Sequence, residues 1–277
     1  MNRNIFAILL CILFVISPIA RADSLHMTMV DVGAAECIII ESDGEAMIVD
    51  AGYAKAWDDI SDAVERMGIQ SLKYFVITHP HADHIGSATR IINQYTPEIA
   101  LMPPIEYDTK AFDNVLASLS ESDVAVEYPD VGDVYRLGQS WVTIYGPHPV
   151  AYENPNDWSI VMMIEYAGRR ILLTGDIEAE AEGDLLAYDD MYPLDADILK
   201  VAHHGSDSST IYSFAQAVSP EYALVSCASD EDHSYPHVET AMTLYDCGVS
   251  DIYTTEVCGD ISVTIDSEGT LSIETQN

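Results

Sequence analysis

The chain has 277 residues, 48% of them hydrophobic, and carries 11 Lys and Arg against 46 Asp and Glu, a formal charge of −35. This composition supplies enough apolar surface for a folded core and excludes low-complexity disorder. The charge excludes a generic binder of nucleic acids or anionic membranes, because such proteins neutralise phosphates with a basic face. It leaves open an enzyme that acts on phosphates through metal ions, since the ions bring their own positive charge.

Residues 1–22 are typical of a secretory signal peptide. Arg3 precedes an apolar stretch, and a small-x-small cleavage motif ends at Ala22. A membrane anchor is the alternative, but spanning a bilayer takes about 20 apolar residues and this run is shorter. We therefore predict a cleaved signal at 1–22, one folded domain over 23–277, export to the periplasm or the medium, and no stable membrane contact after cleavage.

Four cysteines remain after this cleavage: Cys37, Cys227, Cys247 and Cys258. None has the C-x-x-C spacing of a zinc site, and exported proteins reside where disulfides persist. Buried thiols or structural bridges are therefore favoured over metal ligation. If a bridge forms, Cys247–Cys258 is the preferred pair, because both residues lie in the last structural unit.

Short strands and helices alternate along the rest of the chain. Apolar runs bounded by turn residues predict strands, and helical spacing of apolar residues predicts helices. The predicted strands are 26–32, 37–41, 46–49, 72–78, 99–102, 124–127, 141–145, 160–166, 170–174, 198–202, 222–225, 252–254, 261–265 and 271–273. The predicted helices are 57–67, 85–95, 109–120, 178–188, 208–218 and 237–247. No repeat or linker divides them, so we predict one mixed α/β domain with two sheets.

The strongest chemical motif is a histidine-rich loop that follows the predicted strand 72–78. It reads H-x-H-x-D-H and contains His79, His81, Asp83 and His84. These four side chains cannot easily bind a single metal together, so the loop offers His79 and His81 to one ion and the last two residues to a neighbouring ion. Imidazole and carboxylate ligands suit Zn²⁺, with Mn²⁺ or Fe as alternatives. We therefore predict a centre of two divalent metal ions.

A Gly-Asp turn ends the apolar strand 170–174 and places Asp176 directly after it. Its carboxylate is suited to bridge two ions about 3.5–4 Å apart. An ordinary turn or a helix N-cap is the alternative for such a residue. The presence of the histidine-rich loop favours the bridge.

Two further histidine clusters adjoin predicted strands or helices. One of His203 and His204 is predicted to be a ligand and the other a supporting or substrate-binding group, a choice that the sequence does not make. His237 precedes a helix and is predicted to contact metal or substrate, and the nearby His233 is a weaker candidate. His148 lies in a rigid Gly-Pro-His-Pro turn and is predicted to be structural.

Other catalytic signatures are missing from the sequence. The chain contains no G-x-S-x-G nucleophile elbow, no phosphate-binding G-x-x-x-x-G-K-[ST] loop and no G-x-G-x-x-G fingerprint. It also contains no basic patch that would bind nucleic acid. Neither a serine nucleophile nor a nucleotide cofactor is therefore predicted.

With these motifs the sequence resembles the metallo-β-lactamase superfamily and, more narrowly, the hydrolase domain of the ComEC competence proteins and their stand-alone, secreted relatives. The matching segments, in the order of the family, are 29–33, 50–52, 78–86, 156–159, 172–178, 197–206, 235–237 and 259–261. The resemblance implies a fold of the α+β or α/β class, a four-layer αβ/βα sandwich. It also implies a dinuclear site at the strand ends between the two sheets.

The resemblance assigns ligands to two ions. It implies that His79 and His81 serve the first ion and that Asp83 and His84 serve the second. It further implies that Asp176 bridges the two ions. His203 or His204 would complete the set, with His237 as a further candidate. In much of the superfamily a third histidine for the first ion lies near residues 156–159, where this chain has Asn156. The family's Gly-x-Gly-Asp turn reads Gly-Ala-Ala-Glu here, so Glu36 retains the carboxylate on a longer side chain.

These observations predict a secreted metal-dependent hydrolase that cleaves phosphodiester bonds in a small molecule or a nucleic acid. Asp83 or Asp176 would orient the attacking water, and one of His203 and His204, or else His237, would protonate the leaving group. Loss of the signal peptide removes two arginines and no acid, which shifts the charge from −35 to −37. A protein of this charge repels polymeric DNA, so a small ester is the favoured substrate. The alternatives are an acyl hydrolase (a lactamase or lactonase) on the same scaffold and a non-catalytic metal-binding protein. The sequence gives no indication of oligomeric state.

Overall fold

The computed structural model describes residues 23–229 and 234–277. The signal peptide predicted at 1–22 and the candidate residue His233 lie outside these described residues. Within them, no helix combines the length and the apolar character that crossing a membrane requires.

The first half of the chain forms six strands and the helices that cover them. These elements are β1 (Ser24–Met29), β2 (Ile38–Ser42), β3 (Glu45–Val49), α1 (Trp57–Met67), β4 (Tyr74–Val76), α2 (Ala82–Ile85), α3 (Ala88–Tyr95), β5 (Ile99–Leu101), α4 (Lys110–Glu121) and β6 (Ala125–Glu127).

The second half forms a second sheet and then returns to the first. These elements are β7 (Val134–Leu137), β8 (Ser140–Gly146), β9 (Val161–Tyr166), β10 (Arg169–Leu173), α5 (Ala179–Ala187), β11 (Ile198–Lys200), α6 (Tyr212–Val218), β12 (Tyr222–Val225), α7 (Val238–Asp246), β13 (Asp251–Thr254), α8 (Thr255–Cys258), β14 (Ile261–Asp266) and β15 (Leu271–Thr275). The eight-stranded sheet has the order β15-β14-β1-β2-β3-β4-β5-β6, and the seven-stranded sheet has the order β13-β12-β11-β10-β9-β8-β7.

The two sheets pack face to face, and helices cover the outer face of each. On β2, Ile39 packs among residues of α1, α3 and α4, whereas Ile38 and Ile40 pack against the second sheet. A strand buried on both faces needs apolar side chains at successive positions, which explains the Ile-Ile-Ile sequence. Residues of α5, α6 and α7 pack on the outer face of the seven-stranded sheet. The predicted four-layer αβ/βα sandwich is therefore confirmed.

Each sheet contains four neighbouring parallel strands, and this arrangement positions the site. Strands β3 to β6 pair in parallel in the first sheet, as do β10 to β13 in the second. The carboxyl ends of parallel strands lie at one edge of a sheet, and the loops that follow them form the usual ligand-binding crevice. The loops after β4, β10 and β11 hold the predicted metal ligands, and side chains from all three loops meet at this edge.

Two helices differ from the sequence prediction for identifiable reasons. The helix predicted over 85–95 is divided into α2 and α3, because the backbone N–H groups of Gly86 and Ser87 donate to the carbonyl oxygens of residues 52 and 51 (2.8 and 3.2 Å) instead of to the preceding turn. The helix predicted from residue 208 begins only at Tyr212, since Ser209 Oγ donates to the carbonyl oxygen of Ala202 (3.1 Å) and holds the preceding segment in a turn. Strand β7, a short and half-exposed edge strand, was missed.

The four cysteines are all free thiols. Cys247 packs against the core outside the seven-stranded sheet, whereas Cys258 packs against the core between the two sheets. The preferred Cys247–Cys258 bridge is therefore wrong, because the sheet separates two residues that are close in sequence.

Candidate metal centre

Four of the predicted ligands form one compact group. Ligand atoms of Asp83, His84, Asp176 and His204 all lie within 4.8 Å of one another. Asp176 Oδ2 lies 3.1 Å from His84 Nε2 and 3.4 Å from His204 Nε2. Asp83 Oδ2 lies 3.4 Å from the same nitrogen of His204. We call this group the carboxylate side of the centre.

Hydrogen bonds behind the two imidazoles fix which ring nitrogen faces the group. His84 Nδ1 donates to Asp50 Oδ2 (2.6 Å), and Asp50 in turn accepts from the backbone and the hydroxyl of Thr78 (2.8 and 2.6 Å). His204 Nδ1 donates to the carbonyl oxygen of Ser226 (2.8 Å). These hydrogen bonds hold both rings with Nε2 toward the carboxylates. A metal-binding histidine is typically oriented in this way, by a partner that accepts from its other ring nitrogen.

The backbone at this edge adopts sparsely populated conformations. Asp50, His203 and His204 have φ of 58°, 49° and 55°, in the left-handed region that non-glycine residues rarely adopt. At Gly205 (φ 82°) a Cβ would lie 2.5 Å from Cβ of Pro236. Such conformations cost free energy and cluster at functional sites. Here they turn the chain so that His204, and not His203, points into the carboxylate side.

His79 and His81 lie beside this group and form the histidine side of the centre. Their side chains approach each other, with His79 Nε2 3.1 Å from His81 Nδ1. His79 Nε2 is also 3.9 Å from Asp176 Oδ2, so the two sides adjoin at that carboxylate. Ser159 Oγ contacts His79 Nδ1 (3.3 Å) and accepts from the backbone of Asp176 (3.1 Å), which ties the sides together.

Asn156 is buried beside the histidine side, where its side chain interacts with His81. Its Nδ2 donates to Glu178 Oε1 (2.9 Å), and its Oδ1 is buried without a hydrogen-bond partner. The same carboxylate oxygen of Glu178 lies 3.3 Å from His203 Nδ1. His203 also contacts Ser208 Oγ (3.1 Å) and lies outside the group of four. The structure thus separates the two neighbouring histidines that the sequence left equivalent.

The remaining histidine candidates lie farther from the carboxylates. His237 is the residue before α7, and its Nδ1 accepts from the backbone of Asp207 (3.0 Å). Its ring lies 5.1 Å from the ring of Tyr235, which stacks 6.0 Å from His204. His148 stacks on Tyr188 (4.4 Å), outside both sides of the centre.

Burial and charge set different protonation preferences on the two sides. Burial lowers the pKa of His79 well below its ordinary value and also lowers that of His81, which favours the neutral imidazoles that bind metals. Burial also opposes charge on His204, but Asp176 and Asp83 outweigh it and raise the pKa of His204 to about 9. The pKa of Asp176 is held well below its ordinary value, because the attraction of His84 and His204 outweighs desolvation.

The donor set of the carboxylate side fits a divalent cation. Two carboxylates and two imidazoles are the ligand types of catalytic Zn²⁺ and related metals. His204 Nε2 is buried without a hydrogen-bond partner, so protein groups alone do not satisfy it. Buried polar atoms are normally paired, and the lack of a partner here is consistent with an additional ligand. His79 and His81 provide two further neutral nitrogens for a second ion.

The sequence motifs assign no role to several residues that support this centre. Asp50 and Ser226 orient the two imidazoles, as described above, and Lys200 is fully buried 3.5 Å from Asp176 Oδ1. The sequence signal for Lys200 is that it is a lysine within the otherwise apolar predicted strand 198–202. Lysine is rarely buried unless it is paired.

The fold and this site define a metallo-β-lactamase-type protein, and the sequence comparison agrees. Residues 30–229 match the model of the metallo-β-lactamase superfamily. The chain therefore belongs to this superfamily, whose members are generally metal-dependent hydrolases.

Within the superfamily, the chain is similar to ComEC-like competence proteins. It is 30% identical over 178 residues to ComE operon protein 3 of Bacillus subtilis, covering 64% of this chain and 23% of that protein. It is 25% identical over 253 residues to Recombination protein 2 of Haemophilus influenzae, covering 86% and 29%. The chain thus spans about a quarter of the length of these relatives.

Solved structures share the fold at low identity. The metallo-β-lactamase fold protein YhfI of Bacillus subtilis superposes with a TM-score of 0.56 at 12% identity, covering 91% of this chain and 99% of that one. CmlA, a diiron β-hydroxylase from Streptomyces venezuelae, superposes with a TM-score of 0.54 at 15% identity, covering 90% and 55%. These similarities show the fold alone.

Proposed function

We propose that this protein is a metal-dependent phosphodiesterase that uses two divalent ions, with zinc favoured, to hydrolyse small phosphodiesters. The observation that carries the proposal is the carboxylate side, in which two aspartates and two histidines converge within 4.8 Å at the strand ends. The histidine side adds two more nitrogen ligands next to it. A structural zinc site would be closed by four ligands and would need no such second set.

Divalent ions in a centre of this kind lower the pKa of water and offset negative charge on a phosphoryl oxygen. The protein residues that act with them differ in access to solvent. The side chain of Asp83 is 21% exposed, whereas those of Asp176 and His204 are each 2% exposed. Asp83 can therefore accept a hydrogen bond from a water that enters from the cleft, whereas Asp176 lies behind it and holds the imidazoles.

His237 is placed to serve as a proton donor for the leaving group. Its side chain is 31% exposed, and Nδ1 lies 3.0 Å from the carboxylate of Asp207, which can accept a hydrogen bond from a protonated ring and directs Nε2 away from that contact. Tyr235 lies between it and His204. A partly exposed histidine at the rim suits general acid catalysis, because it can exchange its proton with solvent between turnovers.

A cavity of about 630 Å³ beside the histidine side supports a small substrate. Tyr107, one of its lining residues, contacts His81 with ring centroids 5.6 Å apart. Among the described residues, the lining also includes Glu106, Asp108 and Asp113 but no lysine or arginine. An acidic cavity repels a polyanion, so extended DNA would gain little affinity next to this centre.

The relatives favour phosphodiesters over acyl substrates. Recombination protein 2 is named for recombination, a process that acts on DNA. Hydrolysis of a phosphodiester bond would then be the chemistry that this chain shares with its relatives. The acidic surface of this chain favours a phosphodiester smaller than DNA.

The test combines metal analysis with turnover on one sample. Purified wild-type protein should contain close to two ions per chain and hydrolyse bis-p-nitrophenyl phosphate, and Asp176→Ala should abolish turnover. Asp184→Ala, which removes a carboxylate that accepts from Tyr152, is the matched control and should remain active. Two ions with turnover of lactams or lactones instead would establish the acyl hydrolase. One ion or none under metal-replete conditions would contradict the dinuclear centre.

We also propose that the mature protein acts outside the cytoplasm after cleavage near Ala22. The proposal rests on the composition of residues 1–22. Fractionation of a native host and mass measurement of the product test it. A full-length product retained in the cytoplasm would contradict export.

A further inference from the structure

Lys200 and Glu36 form an ion pair in the interior of the protein. Both side chains are fully buried, and the Lys200 ammonium contacts the Glu36 carboxylate directly. Lys200 Nζ also donates to the carbonyl oxygen of Gly175 (2.7 Å). A buried ion pair is weak support for stability, because desolvation offsets most of its attraction. The location of the pair therefore calls for a functional explanation.

The pair lies directly behind Asp176. Lys200 Nζ is 3.5 Å from Asp176 Oδ1, whereas Oδ2 of the same carboxylate faces His84 and His204. The lysine thus holds one carboxylate oxygen from behind and leaves the other directed into the centre. Its bond to Gly175 fixes the residue that immediately precedes Asp176.

Glu36 connects the same ion pair to the opposite wall of the centre. The backbone N–H of Glu36 donates to the carbonyl oxygen of Asp83 (3.2 Å), and the carbonyl of Glu36 accepts from Gly52 (2.7 Å). Glu36 precedes β2 in the eight-stranded sheet, and Lys200 ends β11 in the seven-stranded sheet. The ion pair therefore links the loop of Asp83 to the loop of Asp176 across the interface of the two sheets.

We propose that Lys200 and Glu36 are positioning residues that orient Asp176 relative to Asp83, an inference that rests on the proposed metal centre. Lys200 restrains Oδ1 of Asp176, and Glu36 keeps the ammonium group at that position. The longer glutamate side chain spans the distance from the loop before β2 to the end of β11. The pair would set metal affinity and not merely fill the core.

The test separates positioning from folding with paired substitutions. Lys200→Met alone leaves Glu36 buried without its counter-charge, so the informative variant is the double substitution Lys200→Met/Glu36→Gln, which removes both charges and conserves volume. Urea unfolding of the metal-free proteins reports folding. Chelator competition gives metal affinity, and the visible spectrum of the Co²⁺-substituted protein reports ligand geometry. Lys73→Met, which breaks the surface pair with Glu45, is the matched control.

We expect the double variant to unfold at a urea concentration close to that of wild type but to bind metal about 10- to 100-fold more weakly, the usual loss when a partner of a ligand is removed. Its Co²⁺ spectrum should change, whereas Lys73→Met should match wild type in all three measurements. Wild-type affinity and spectrum in a folded double variant would overturn the positioning role.

A second variant covers the case in which the double substitution does not fold. Glu36→Asp retains both charges and retracts the carboxylate by one methylene, so it should fold and bind metal about 10-fold more weakly. Unchanged affinity and an unchanged Co²⁺ spectrum in Glu36→Asp would overturn the inference. Failure of the wild-type protein to bind metal would instead contradict the proposed function and remove the basis of this one.

Discussion

The two sides of the centre are built to different degrees. On the carboxylate side, each imidazole has a partner behind it, Asp50 for His84 and Ser226 for His204, and Asp176 is held from behind by Lys200. On the histidine side, the hydroxyl of Ser159 contacts His79 Nδ1 (3.3 Å), and Nδ1 of His81 contacts the ring of His79. Asn156, at the segment where the wider superfamily has a third histidine, turns its amide nitrogen to Glu178 instead.

The difference indicates unequal metal sites. Ligands that are held in place before binding lose less conformational freedom when the ion arrives, which strengthens binding. The carboxylate side also offers two carboxylate ligands, whereas burial keeps His79 and His81 neutral. An ion on the carboxylate side replaces the positive charge that these carboxylates otherwise favour on His84 and His204, whose pKa values they raise despite burial. The first ion should therefore bind on the carboxylate side, and the histidine side should hold its ion more weakly.

The largest expected effect distinguishes His204 from its neighbour. His204→Ala removes a member of the carboxylate side and should lower turnover of bis-p-nitrophenyl phosphate by about 10²–10³-fold, the scale of losing one group that stabilises developing charge. His203→Ala should lower it less than about 10-fold, because His203 contacts Ser208 and Glu178 instead. Steady-state kinetics of both purified variants checks the contrast. Equal losses would show that the two histidines are not functionally separated.

Removal of metal should proceed in two steps. Titration with a chelator should release the ion of the histidine side first, at an affinity at least about 10-fold lower than that of the carboxylate side. His81→Ala should abolish release of the weakly bound ion and leave release of the tightly bound ion unchanged. The control His26→Ala, on β1, should leave both steps unchanged. Elemental analysis after each addition measures the occupancy. Release of both ions in a single step would refute the inequality.

A single substitution should reduce the difference in metal affinity between the carboxylate side and the histidine side. Asn156→His supplies an imidazole near His79 and His81 and should tighten the weaker ion by about 10-fold, in the range that ligand and partner changes produce. Glu153→His, at an exposed position in the same loop, provides the control. Metal affinity by competition is the measurement. No change in Asn156→His would mean that residue 156 does not face the histidine side.

The last prediction concerns folding stability and the segment that follows His204. Glu182 is buried on α5 and accepts from the backbone of Thr210 and Ile211 (2.5 and 2.8 Å), which anchors that segment. Desolvation raises the pKa of Glu182 from 4.5 to about 7, although the two backbone hydrogen bonds oppose it. The folded state therefore binds the proton more tightly than the unfolded state, and this contribution to stability is full below pH 4.5 and is lost as the pH rises toward 7.

The corresponding measurement is urea unfolding of wild type and Glu182→Gln across pH 4.5 to 8. Relative to the variant, wild type should lose up to about 3 kcal/mol of stability over this range, since one pKa unit corresponds to about 1.4 kcal/mol. The comparison with Glu182→Gln cancels the general repulsion among the other acidic residues. A pH-independent difference between the two proteins would contradict the raised pKa.

The sequence by itself determined the fold class and most of the elements. Helix α1 and strand β12 occur with the predicted bounds, because an amphipathic run ended by Gly68 and a short apolar run between turns are both local patterns. The motifs also located the candidate ligands in loops that follow strands. Histidines and aspartates at such positions are identifiable in sequence because they interrupt the apolar pattern.

Only the tertiary structure distinguished residues that are equivalent in sequence. His203 and His204 are adjacent, and the left-handed backbone of both, with Gly205 packed on Pro236, directs only the second into the centre. The pairing of Lys200 with Glu36 joins residues from different sheets, and the seven-stranded sheet places Cys247 and Cys258 in different cores. Such relations depend on chain segments far apart in sequence, so no local periodicity or spacing contains them.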